Sequence, residues 1–139
     1  MWHVLLVEDD PATAQQLTRL LKRKARCVLA KTGQEALQIY QDTRNKGRHF
    51  DFVLLDVGIP QPDGFAVLTS IRQDESTQAP PRQDSLIIMI TAYKDSLMDK
   101  YNMGWDDFLT KPVEGEKLLS HMETLWRDKN NKRTQHPPS

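Results

Sequence analysis

The sequence predicts an α/β protein built on an open, doubly wound sheet of five parallel strands. Short apolar runs alternate with amphipathic segments from end to end, the pattern of strands separated by crossover helices. One run, Phe52 to Leu55, is apolar without alternation, as expected of a central strand covered on both faces. Reactive or phosphate-friendly residues follow the runs: Glu8 and Asp9, Asp56, Thr91, and Lys111-Pro112. A parallel sheet would deliver all of them to one rim, where open α/β sheets bind ligands.

His3 to Val7 reads as the first strand. Asp10 can cap a helix whose first position is Pro11. That helix should run to about Lys24, with Ala14, Leu17, Leu20 and Leu21 on one face and Arg19, Lys22 and Arg23 favouring its C-terminal end. Cys27 to Ala30 gives the second strand. Thr32-Gly33-Gln34-Glu35 has the form of a capping box, and Asn45-Lys46-Gly47 closes the helix that it opens. The third strand stops at Asp56, and a loop with Pro60, Pro62, Asp63 and Gly64 leads to a helix that turns Phe65, Leu68 and Ile71 inward.

Asp74 to Ser85 is polar, holds Pro80-Pro81 and reads as a surface loop. Leu86 to Ile90 is the fourth strand, 95–102 a short helix and Phe108 to Thr110 the fifth strand. A last helix, from Glu114 to about Arg127, uses Leu118, Leu119, Met122, Leu125 and Trp126. Residues 1–127 therefore form one domain, and the polar segment 128–139 is expected to be a disordered tail.

A chain of 139 residues suits a single core, burying about two-thirds of its unfolded surface. With 19 basic and 19 acidic residues, the overall charge attracts neither nucleic acid nor anionic membrane. No apolar segment approaches the about 20 residues that span a bilayer, and the first residues show no basic region followed by a long apolar stretch. The lone Cys27, expected to be buried, fits a reducing compartment, so the protein reads as cytoplasmic. After Trp126 no second domain is expected.

Glu8, Asp9 and Asp56 would repel one another if left bare, and a hard divalent cation such as Mg²⁺ resolves that repulsion. Asp56 ends the most apolar strand, where its carboxylate can attack phosphorus to give an aspartyl phosphate. Phosphoryl transfer relies on positioning and electrostatic stabilisation, and Lys111 supplies positive charge for it. Thr91 can donate a hydroxyl hydrogen bond to a phosphoryl oxygen, and the small Ala92 leaves the phosphate room to enter. Simple alternatives exist for each residue alone: solvation and helix capping for the acids, a surface lysine, a β-branched strand end. Asp10 is accounted for by capping alone.

In these motifs the chain resembles the receiver domains of two-component response regulators. They are Glu8-Asp9, the stretch Asp56-Val57-Gly58-Ile59-Pro60 with Asp63-Gly64, Ile90-Thr91-Ala92, and Gly104 through Asp106-Asp107-Phe108 to Lys111-Pro112. The resemblance covers residues 3 to about 127. It implies a flavodoxin-like (βα)5 fold with strand order 2-1-3-4-5, and a signalling switch rather than a turnover enzyme. Asp56 would be the phosphoacceptor, with Mg²⁺ held by Asp9, by Glu8 through water, by Asp56 and by the Gly58 backbone carbonyl. Thr91, Ala92 and Lys111 would bind the phosphoryl group, and Phe108 would be an aromatic switch or plain core.

The implied donor is a histidine kinase or histidine phosphotransfer domain. The implied output is a change in the face made by the fourth helix, fifth strand and last helix, read by a downstream protein or by a second copy in a phosphorylation-linked homodimer. Gly58 leaves the site without a side-chain gate, and Tyr93 is expected to shield the acyl phosphate from water. Trp105, beside that face, is a partner anchor if exposed, or else folds back onto Met103 or the last helix. A haloacid-dehalogenase-like phosphatase, the main competing class, needs a second Asp two residues after the first, where this chain has Gly58. A P-loop or dinucleotide fold is disfavoured because Glu8 to Ala14 contains no glycine.

Overall fold

The computed structural model describes residues 1–60, 62–77, 84–92 and 104–135, with side chains to Asn131. Five parallel strands lie in the order β2-β1-β3-β4-β5, the arrangement expected. They are β1 (Trp2–Val7), β2 (Ala25–Ala30), β3 (Phe52–Asp56), β4 (Leu86–Thr91) and β5 (Asp107–Thr110). Helices α1 (Pro11–Leu21), α2 (Gly33–Asn45), α3 (Gly64–Thr77) and α4 (Gly115–Gln135) complete the described elements. The expected helix over 95–102 lies outside the described residues.

Residues of β3 alternate between two cores. Val53 and Leu55 face α2 and α3, joined by Leu5, Val7, Ile87 and Met89. Phe52 and Leu54 face α1 and α4, joined by Val4, Leu6, Ile88 and Ile90. Every residue of β3 is buried, which explains why its sequence shows no alternation. Truncating any of these large side chains to Ala would cost about 2–5 kcal/mol.

The register brings the strand ends level, with Val7 beside both Ala30 and Leu55, Asp56 beside Ile90 and Thr91 beside Thr110. Helix caps follow the sequence signals. Asp10 accepts from the Thr13 N–H, Thr32 accepts from the Glu35 N–H at 3.0 Å, and Asp63 accepts from the Ala66 N–H at 2.9 Å. Gly47, at φ +76°, closes α2 as the sequence suggested.

Strands β1, β2, β4 and β5 differ from expectation by one or two residues at an end, and three boundaries differ by more. Helix α1 stops at Leu21 rather than Lys24, because the Lys24 carbonyl is drawn into the sheet edge by the Trp2 N–H at 2.9 Å. The segment expected to be loop from Asp74 is helical through Thr77, where Glu75 points inward and accepts from Tyr40 and the Ser85 N–H. A buried glutamate is invisible to apolar periodicity. Residues 78–83 lie outside the described residues.

The tail expected to be disordered from Asp128 continues α4 as far as Gln135. No Gly or Pro interrupts the chain between Glu116 and Gln135, and Lys129 bonds the Asp84 carbonyl, so the helix has both the propensity and an anchor to continue. Trp126 stacks its edge against Trp2 and packs beside Phe52 in the turns before.

Candidate functional site

Four of the five strands hand chemical groups to the carboxyl rim. β1 ends before Glu8 and Asp9, β3 ends on Asp56, β4 on Thr91, and β5 is followed by Lys111. Oxygen atoms of Glu8, Asp9 and Asp56 lie within 4.8 Å of one another. Glu8, Asp56 and Thr91 are buried, whereas Asp9 is exposed.

Lys111 Nζ bridges the first two carboxylates, 3.0 Å from Asp56 Oδ2 and 3.1 Å from Glu8 Oε2. The other Asp56 oxygen, Oδ1, accepts from the Gly58 N–H at 3.0 Å, and Glu8 Oε1 accepts from the Asp10 N–H at 3.0 Å. Glu8 Oε2 is buried, and its approach to Lys111 lacks hydrogen-bond geometry, so the oxygen is charge-paired yet has no donor. Burial, opposed by the Asp10 N–H and reinforced by the Asp56 charge, pushes the Glu8 carboxyl up to about 7. Burial also disfavours charge on Lys111, but its hydrogen bonds to Asp56 and Glu8 outweigh that and hold its pKa above the ordinary lysine value.

Among the described residues, three carboxylates thus lie near one ammonium. The residues fit a hard divalent cation: all donors are oxygens, one of them lacks a hydrogen-bond donor, and local negative charge is in excess. The loop that carries the site is held close. A Cβ at Gly64 would stand 2.6 Å from the Asp56 carbonyl oxygen and 2.7 Å from Val57 Cα, so only glycine permits this approach. A Cβ at Gly58 would meet Asp56 Oδ1 at an ordinary 3.7 Å, which places position 58 at the mouth of the site. The Lys111-Pro112 peptide, whose isomer the sequence leaves open, is cis, and the Lys111 N–H donates to the Thr91 carbonyl at 2.7 Å.

The other residues singled out from sequence fall as follows. Ala92 is exposed beside Thr91. Phe108 is half-buried and its ring meets Trp105 edge-on at 6.5 Å. Trp105 is half-buried and folds onto Phe65 and Phe108. Tyr93 and Met103 lie outside the described residues. Cys27 is half-buried rather than buried, because β2 is the sheet edge, and burial raises its thiol pKa. The Asp10 carboxyl, held low by Thr13, caps α1, while its backbone N–H donates to Glu8.

Sequence reasoning missed Arg72. It donates to the Gly104 carbonyl at 2.8 Å and to Asp106 at 2.8 Å, tying α3 to the turn that presents Trp105. The clue was weak: an arginine in a helix and an Asp before a strand, with no local link between them.

No helix among the described residues is long and apolar enough to cross a membrane. The family model for the response regulator receiver domain matches residues 4–123. The response regulator MprA of Mycolicibacterium vanbaalenii is 34 % identical over 89 % of this chain and 50 % of that protein. The transcriptional regulatory protein BasR of Escherichia coli is 32 % identical over 92 % of this chain and 54 % of its own length. The chain spans about half the length of these curated relatives.

Among solved structures, a CheY-like receiver domain protein of Methanospirillum hungatei shares the fold, with a TM-score of 0.77 at 21 % identity over 95 % of this chain and 98 % of that one. A CheX–CheY–BeF3–Mg²⁺ complex of Borrelia burgdorferi gives 0.76 at 26 % identity over 90 % and 89 %. With the family model spanning nearly the whole sheet and the acidic, hydroxyl and ammonium groups at its rim, the chain belongs to the response regulator receiver domain family of two-component systems.

Proposed function

We propose that this receiver is a phosphorylation-driven switch with Asp56 as its phosphoacceptor. The observation that carries the reading is the position of Asp56: buried at the end of β3, one oxygen fixed by the Gly58 N–H and the other by Lys111. A carboxylate held in this way is oriented before the donor arrives. The donor is a phosphohistidine on a histidine kinase or histidine phosphotransfer domain. An Asp56 oxygen forms the new bond to phosphorus, the P–N bond breaks, and the electron pair leaves with the imidazole, which takes up a proton.

Asp9, Asp56, Glu8 and the Gly58 carbonyl are the groups that would hold Mg²⁺, which supplies charge neutralisation for the phosphoryl oxygens when bound. The Mg²⁺ named with the Borrelia receiver supports this reading for a related fold. Lys111 exchanges part of its contact with Asp56 for a phosphoryl oxygen, and Thr91 closes on another with its hydroxyl. That movement frees space beside Phe108, whose ring adjoins Trp105. The output is therefore a shift in the surface that β5 and α4 present.

Trp105 is the anchor of that surface for a downstream protein or a second copy. Trp105→Ala is expected to abolish partner binding and leave phosphorylation of Asp56 intact; equal partner affinity contradicts the anchor role. Tyr93 is expected from the sequence to shield the acyl phosphate, so Tyr93→Ala should lose phosphate faster than the parent; an equal rate contradicts that expectation. Incubation with Mg²⁺ and acetyl phosphate, read by intact mass with Asp56→Asn as control, tests the acceptor assignment itself.

A further inference from the structure

Although the whole chain is neutral, charge is unevenly placed along it. Between Asp10 and Glu35 there is no Asp or Glu, and the cations Arg19, Lys22, Arg23, Lys24, Arg26 and Lys31 all fall there. They surround the end of α1 and the edge strand β2. Among the described residues Lys24 pairs with Glu123, and Arg19, Lys22, Arg26 and Lys31 have no ion-pair partner.

The same edge offers backbone groups. The Trp2 N–H bonds the Lys24 carbonyl and the Glu8 N–H bonds the Ala30 carbonyl, so the even-numbered residues of β2 face β1. The N–H and C=O of Ala25, Cys27 and Leu29 consequently point away from the sheet, where no described strand pairs with them. Beside this edge a groove of about 580 Å³ runs between α1 and β2. Apolar Pro11, Ala14 and Leu29 and the cations Arg19, Lys22 and Lys31 line it, and it also borders Glu8 and Asp9 of the carboxyl rim. Leu29 is 37 % exposed, one of only two large hydrophobics so exposed among the described residues.

We propose that the outer edge of β2 and this groove form a docking surface for an acidic, extended segment of a partner protein. Such a segment adds a strand through the backbone groups of Ala25, Cys27 and Leu29. It sets an apolar side chain against Leu29, and its carboxylates meet Arg19, Lys22 and Lys31. A second copy of this chain is the wrong occupant, because edge-to-edge pairing of two β2 strands would oppose cation to cation. Nucleic acid would satisfy the charge but has no use for an outward row of peptide groups or an exposed leucine.

The test uses the whole chain, isotopically labelled, titrated with a short peptide of alternating Glu and Val and followed by amide NMR and hydrogen exchange. Binding is expected to shift and protect the amides of Ala25, Cys27 and Leu29. A Lys and Val peptide of the same length should do neither. Reversing charge at Arg19 and Lys22 together should weaken binding about tenfold or more. Cys27→Pro, which deletes an outward N–H and spares the β1 ladder, should abolish the protection while the surface charge remains.

No shift with the acidic peptide overturns the proposal. So do shifts indifferent to Cys27→Pro, or a response to single-stranded DNA or phosphatidylserine vesicles in place of the peptide. Phosphorylation of Asp56 is measured on the same samples and should be unchanged in both variants, so failure here is distinct from failure of the acceptor assignment.

Discussion

At the amino rim of the sheet, Arg72 donates to four acceptors: Glu75, the Ser85 and Gly104 carbonyls, and Asp106. At the carboxyl rim, Lys111 is the one cation among the described residues that pairs with Glu8 and Asp56, with Asp9 close by. Both rims are built from carboxylates and a cation. The first surrounds its cation with acceptors and so fastens α3 to the starts of β4 and β5. Among the described residues both hold more carboxylates than cations, Glu75 and Asp106 around Arg72 and Glu8, Asp9 and Asp56 near Lys111, but the second leaves the buried Glu8 Oε2 without a donor. Donor satisfaction, more than charge count, separates the amino-rim clasp from the candidate site.

The comparison breaks most visibly at the amino rim. Arg72→Ala leaves Glu75, whose side chain is 3 % exposed, without its cation, and is expected to cost about 2–3 kcal/mol in urea unfolding. The folded variant should still accept phosphate at Asp56. A loss near zero would mean that the amino rim is not structural.

The carboxyl rim should respond with the opposite sign. Asp9→Asn removes one of three clustered carboxylates, so Mg²⁺ affinity by calorimetry should fall about tenfold or more. The Tm in chelator should stay level or rise slightly as repulsion is relieved. A variant that loses stability in chelator without losing Mg²⁺ would place Asp9 among the structural groups instead.

Smallest is the effect at Asp10, which adjoins the cluster in sequence but belongs to α1. Asp10→Ala should lower Tm by less than Arg72→Ala and leave Mg²⁺ affinity nearly unchanged. A large loss of Mg²⁺ binding would return Asp10 to the site.

The carboxyl rim was legible in the sequence because each of its groups sits at a strand end, and apolar runs mark strand ends well. The strand count, the caps at Asp10 and Thr32, and the gathering of Glu8, Asp9, Asp56 and Lys111 all follow from local pattern. The amino rim was not legible. Arg72 meets Asp106 across 34 residues and Tyr40 meets Glu75 across 35, and no periodicity encodes such pairings. For the same reason Glu75 was read as loop and the last turns of α4 as tail, since both are held by polar contacts with distant residues. Trp105 had two open readings, and neither named its contact with Phe65 and Phe108, which is set by how α3 meets β5.

The central claim is that Asp56 accepts a phosphoryl group. Intact-mass measurement after incubation with acetyl phosphate and Mg²⁺ addresses it most directly. The parent should gain the mass of one phosphoryl group, and neither Asp56→Asn nor the parent in chelator should gain it. An unmodified parent, or equal labelling of Asp56→Asn, would contradict the claim.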